Sequence, residues 1–113
     1  MKKIITIGDK EYSMKSSAFT QFAYKNETGR SFLTDIQKLT KMSEIELDYE
    51  SLDQLTELLL KIAYVMIKES DESQAQDYEG FLKSIDNLYD DQKWIEEVIK
   101  LACSPISRQL QNN

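Results

Sequence analysis

Histidine is absent from the 113 residues. With it go the commonest general base near neutral pH, the commonest transition-metal ligand, and every Ser-His or Cys-His pair. A single cysteine, Cys103, allows no internal disulfide and no thiolate cluster for zinc. That usage fits a reducing compartment. Cys103 falls near the end of a helical pattern, where the helix dipole disfavours a thiolate, so it reads as a small apolar side chain. Three glycines with no GxxxxGK pattern exclude a phosphate-cradling loop. No apolar run approaches the ~20 residues of a membrane span. The run Ile4–Ile7 is cut by Gly8, Asp9, Lys10 and Glu11 before a signal-peptide core is complete, and an intracellular protein is expected. Basic residues are scarce as well: 14 Lys/Arg stand against 20 Asp/Glu, for a net charge of −6. A nucleic-acid binder needs a surface that neutralises phosphates, so this balance argues against one.

What the chain does have is one long apolar segment, Ser51 to Ser70. Leu52, Leu55, Leu58, Leu59, Ile62, Ala63, Met66 and Ile67 recur at the three-and-four spacing of a helix face. Leu60, Tyr64 and Val65 make the opposite side apolar too, and between Leu58 and Ile67 only Lys61 is charged. A helix apolar nearly all round belongs in a core, with the other elements wrapped about it.

Ahead of it, Ile5 and Ile7 alternate across Thr6, Gly8-Asp9 suits a two-residue type II′ turn, and Lys10 to Met14 alternates again. This predicts a β-hairpin over 3–14 with one face on the helices and an outer edge open to another chain. Ser16 or Ser17 caps a helix over 17–28 whose apolar side is Phe19, Phe22 and Ala23, and Gly29 suits its left-handed end. Ser31 starts a helix over 31–42 with Phe32, Leu33, Ile36, Leu39 and Met42 inward. Ser43 to Glu50 alternates acids with Ile45, Leu47 and Tyr49, the pattern of a short strand or an extended connector. We read a connector, because Glu and Asp are poor strand formers, with Ser51 capping the central helix over 51–69.

An acidic loop leads to a helix over 77–89 carrying Tyr78, Phe81, Leu82, Ile85 and Leu88. Asp90 or Asp91 then caps a last helix over 91–103 with Trp94, Ile95, Val98, Ile99 and Ala102, which stops before Pro105. The fold class is α+β, mainly α: an N-terminal hairpin on a bundle of about five helices around a buried central one. One domain spans 1–104, followed by a flexible tail over 105–113.

Carboxylates are the abundant reactive type, yet they form no recognisable site. The neighbours Asp90/Asp91 and Glu96/Glu97 diverge by about 100° on a helix. Asp71-Glu72 and Asp77/Glu79 lack the EF-hand order and its turn glycine. No catalytic residue, cofactor or metal ligand is assigned, and the protein is not expected to be an enzyme. Tyrosine is plentiful, and an amphipathic ring suits a protein interface. Tyr12 and Tyr49, with Ile106 and Leu110 of the tail, are the candidate partner contacts. Residues 1–42 hold eight Lys/Arg against four Asp/Glu, and residues 43–113 hold six against sixteen. Such polarity suggests weak head-to-tail self-association.

The order of parts resembles the tail assembly chaperones of siphophages and prophages of Gram-positive bacteria. The residues that carry the likeness are the Lys-rich start, the hairpin IITIGDKEYSM, the helix with Phe19 and Phe22, and the joint Thr28-Gly29-Arg30-Ser31-Phe32. Phe81-Leu82, Ile85-Asp86, Trp94-Ile95-Glu96-Glu97-Val98, Ser104-Pro105 and a Gln/Asn-rich end complete it. The resemblance implies a host-cytoplasmic protein, absent from the mature virion, that coats the tape measure protein and recruits tail tube subunits. It also implies that this chain is the short form of a pair whose longer product arises by ribosomal frameshifting. The competing class is a small acidic regulatory module, antitoxin-like or inhibitor-like.

Overall fold

The computed structural model describes residues 1–42, 48–75 and 77–106. Of the sequence expectations, the Ser43–Leu47 part of the connector, Leu110 and the tail beyond Ile106 lie outside these residues.

The hairpin forms as its alternation requires, with β1 (Lys2–Ile7) antiparallel to β2 (Lys10–Lys15) and Ile5 opposite Tyr12. Ile5, Ile7, Tyr12 and Met14 share the buried face. Gly8 has φ +65° while Asp9 keeps a negative φ, the combination that a type II′ turn uses. A Cβ on Gly8 would also stand 2.9 Å from the backbone oxygen of Asn87. Beyond the strands, the Met1 ammonium donates to the Ser16 carbonyl (2.6 Å) and the Ser16 N–H to the Met1 carbonyl (2.8 Å).

Among the described residues five helices follow: α1 (Ala18–Thr28), α2 (Phe32–Met42), α3 (Tyr49–Ser70), α4 (Tyr78–Lys83) and α5 (Lys93–Cys103), with a 3-10 turn at Glu72–Gln74. The α+β, mainly α class holds. Helix α3 is the hub and touches β2, α1, α2, α4, α5 and the 3-10 turn. Every side chain from Ile62 to Ile67 is buried, all faces of the helix included. Full burial of an Ile or Met side chain contributes roughly 1.5–3 kcal/mol, so this segment anchors the domain.

Three helix boundaries differ from expectation by two residues or more. Helix α3 starts at Tyr49 rather than Ser51, because Asp48 is its cap and accepts the Ser51 N–H at 2.8 Å. That bond holds the Asp48 carboxyl below its ordinary pKa. Helix α4 ends at Lys83 instead of running to 89. The Ser84 hydroxyl donates to the Phe81 carbonyl (2.6 Å) and bonds the Tyr12 hydroxyl (2.8 Å), turning the chain out of the helix. Ile85 and Leu88 are then half-buried in an irregular segment pinned by the Trp94 indole N–H on the Leu88 carbonyl (2.9 Å). Helix α5 starts at Lys93, its first N–H held by the Asp91 carboxylate at 3.0 Å. After Cys103 the chain turns once more, and Ile106 packs on the core, so the body continues past the expected boundary at 104.

Two substitutions separate strain from crowding. Gly29, at φ +72° with open space around it, should cost about 1 kcal/mol as Gly29→Ala, the left-handed penalty alone. Gly8→Ala meets the same penalty plus the Asn87 backbone and should cost distinctly more by urea unfolding. Ser16 is fully buried and its hydroxyl finds no partner among the described residues. Ser16→Ala should therefore be neutral or stabilising by up to about 1 kcal/mol in the same assay.

Candidate functional site

Helix α1 does not bury the face its aromatics suggest. Phe19 and Phe22 are 59% and 62% exposed, while Thr20 and Tyr24 are buried. The cause lies in the cap. Ser17 accepts the Phe19 N–H, Thr20 bonds back to the Ser17 N–H at 2.9 Å, and both hydroxyls then donate to Glu69 of α3 at 3.0 and 2.9 Å. With Thr20 turned to α3, Tyr24 one turn later must also point inward. There its hydroxyl donates to Asp35 at 2.6 Å. This rotation leaves Phe19 and Phe22 outside.

Asp35 is 1% exposed, a charged residue in the apolar stripe of α2. Arg30, in the joint after Gly29, grips both its oxygens at 2.8 and 2.9 Å. Burial pushes the Asp35 carboxyl up, but the Arg30 fork and the Tyr24 hydroxyl outweigh it and hold the pKa below the usual carboxylate value. Burial, then the Asp35 hydrogen bond, raises the Tyr24 phenol. The joint between α1 and α2 is thus locked by one buried, fully bonded carboxylate.

Beside the aromatic ridge runs a groove of about 420 Å³ between α1 and the end of α3. Phe19, Ala23 and Val65 line it together with Asn26, Glu27, Lys68, Glu69 and Glu72. Lys68 approaches Glu27 at 3.5 Å and lies over the Tyr64 ring at 5.1 Å. Burial lowers the Lys68 pKa, but Glu27 and Tyr64 outweigh it and the net shift is upward. Three carboxylates against one ammonium give the lining a negative balance. A groove of mixed apolar and acidic lining suits a segment that carries both apolar and basic side chains.

The three expected contact residues that are described differ in exposure. Tyr12 is a core residue, 5% exposed, packed edge-on against Phe81 with its hydroxyl on Ser84. Its cross-strand partner Ile5 faces the core, so the shared pleat takes Tyr12 inward and out of the contact set. Tyr49 is 90% exposed in the first turn of α3. Ile106 is half-buried behind α5, and Leu110 is outside the described residues. The sequence reading passed over Phe19 and Phe22 as surface residues; the Ser17-x-x-Thr20 spacing was the signal that could have set the helix phase. Among the described residues, no three Cys, Asp or Glu side chains are grouped to hold a metal ion, and no helix is long and apolar enough to cross a membrane. Burial raises the pKa of the Cys103 thiol.

Two ion pairs link distant parts of the sequence. Lys3 of β1 meets Glu97 of α5 at 2.9 Å, and Lys68 meets Glu27. Each pair joins the N-terminal part of the chain to its later helices. Compared with family models, curated proteins and solved structures, the chain gives no match.

The Asp35 lock makes an asymmetric prediction. Arg30→Ala strands a buried carboxylate and should cost about 3 kcal/mol. Asp35→Asn frees an Arg30 that reaches water and should cost about 1–2 kcal/mol by urea unfolding. Because the folded pKa of Asp35 is depressed, its contribution is present above the ordinary carboxylate pKa and is lost as pH falls through and below that range. The parent should therefore lose stability on acidification below about pH 4, with Asp35→Asn lacking that component.

Proposed function

We propose that this protein is a non-enzymatic chaperone of phage tail assembly, binding the tape measure protein and bringing tail tube subunits to it. The observation that carries the reading is the pair Phe19 and Phe22, exposed one helical turn apart beside a groove of mixed apolar and acidic lining. Solvent-exposed phenylalanines at adjacent positions are uncommon on a body with an otherwise complete core, and they mark protein contact. A tape measure protein supplies long helical segments with apolar faces, a ligand that suits such a groove. The order of sequence motifs that resembles the tail assembly chaperones leads to the same partner. On this reading the protein works in the host cytoplasm and is left behind when the virion is complete.

Co-expression with a tape measure fragment tests the proposal. The parent should co-purify with the fragment and keep it in solution. Phe19→Ser/Phe22→Ser should keep its melting temperature and bind about ten-fold or more weakly, the scale of a lost aromatic hot spot. A parent that leaves the fragment to aggregate, or a double variant that binds as the parent does, overturns the reading.

A further inference from the structure

The two edges of the hairpin are treated differently. On β2 the Gln74 side chain occupies the middle of the outer edge, pairing with Ser13 as a residue of a third strand would. Its carbonyl oxygen accepts the Ser13 N–H at 2.8 Å and its amide donates to the Ser13 carbonyl at 3.0 Å. On β1 the pairing of Ile7 with Lys10, Ile5 with Tyr12, Lys3 with Met14 and Met1 with Ser16 sends the N–H and C=O of Lys2, Ile4 and Thr6 away from β2. Among the described residues nothing bonds those backbone groups. All three residues are exposed, and Ile4, a β-branched side chain at the middle of the edge, is 62% exposed on the solvent face.

We propose that β1 pairs antiparallel with β1 of a second copy, joining two hairpins into one four-stranded sheet about a two-fold axis. The occupant is a second copy because the strand is complementary to itself. Centred on Ile4, the register sets Ile4 against Ile4, Lys2 against Thr6 and Lys3 against Ile5. Each outward residue then faces another outward residue, so the three pairs exchange about six hydrogen bonds. No lysine opposes a lysine, whereas a parallel in-register pairing would stack Lys2 on Lys2. On the solvent face, Lys15 and Lys2 of one copy fall in line with Thr6 and Glu11 of the other. The two Ile4 side chains cover each other at the centre. The contact is separate from the α1 groove and stands or falls independently of the client.

Sedimentation equilibrium from micromolar to millimolar protein, with hydrogen exchange on the same samples, tests this. The parent should form a dimer at the upper end, little changed by salt, with the Lys2, Ile4 and Thr6 amides slowing as concentration rises. Ile4→Pro removes an outward N–H and spares the internal ladder, so it should stay monomeric at every concentration with unchanged helical circular dichroism. If that variant does not fold, the exchange pattern of the parent decides alone. A parent that is monomeric throughout, a dimer that survives in folded Ile4→Pro, or protection that grows on some other surface overturns the proposal. So does a chain that dimerises only after residues 107–113 are removed, since those residues would then be what covers the edge.

Discussion

Every element of this fold answers to the need to keep water from α3. Six consecutive buried residues, Ile62 to Ile67, leave that helix no solvent face along more than a turn and a half. A helix with one apolar stripe needs one neighbour; this one needs neighbours on all sides. The hairpin, α1, α2, α4 and α5 are those neighbours, and each contributes one apolar face to the same core. The hairpin, too short to stand alone in water, gains from the arrangement as much as it gives.

Polar side chains decide how the neighbours are oriented. Glu69 at the end of α3 takes two hydroxyls from the first turn of α1 and so fixes the rotation of that helix. Asp35 of α2 takes the Tyr24 hydroxyl and the Arg30 guanidinium and so fixes the joint. The apolar surface available to α1 would have been larger with both phenylalanines inside. That they are outside shows satisfied hydrogen bonds overriding hydrophobic count, since an unpaired buried carboxylate costs more than an exposed ring.

The hub helix, the hairpin with its Gly8 turn and the Gly29 cap were legible because each rests on a local pattern: continuous apolar periodicity, strict alternation, a glycine where φ must be positive. What was not legible depended on contacts distant in sequence. Phe19 and Phe22 looked like core because aromatics usually are, and only the partner at Glu69 reverses that. Helix α4 looked longer because Ile85 and Leu88 keep its period, while the hydroxyl of Ser84, tied to Tyr12 across the chain, ends it. Asp35 carries no local signal of its burial, which rests on the Arg30 and Tyr24 side chains that the fold places around it. Tyr12 is the exception, since its alternation with Met14 already placed it on the inward pleat, and the general suitability of tyrosine for interfaces was the weaker argument.

Gln74 reaches across from the 3-10 turn to bond Ser13 at the middle of β2, and among the described residues no counterpart bonds Lys2, Ile4 or Thr6 of β1. A ribbon open along both margins could add copies without limit and grow into a fibre. Here a side chain sits on the middle of one margin, where an added strand would have to displace it, so association through the sheet favours the other margin. A side-chain amide, from a residue that touches neither ridge nor groove, biases which margin of the sheet can grow.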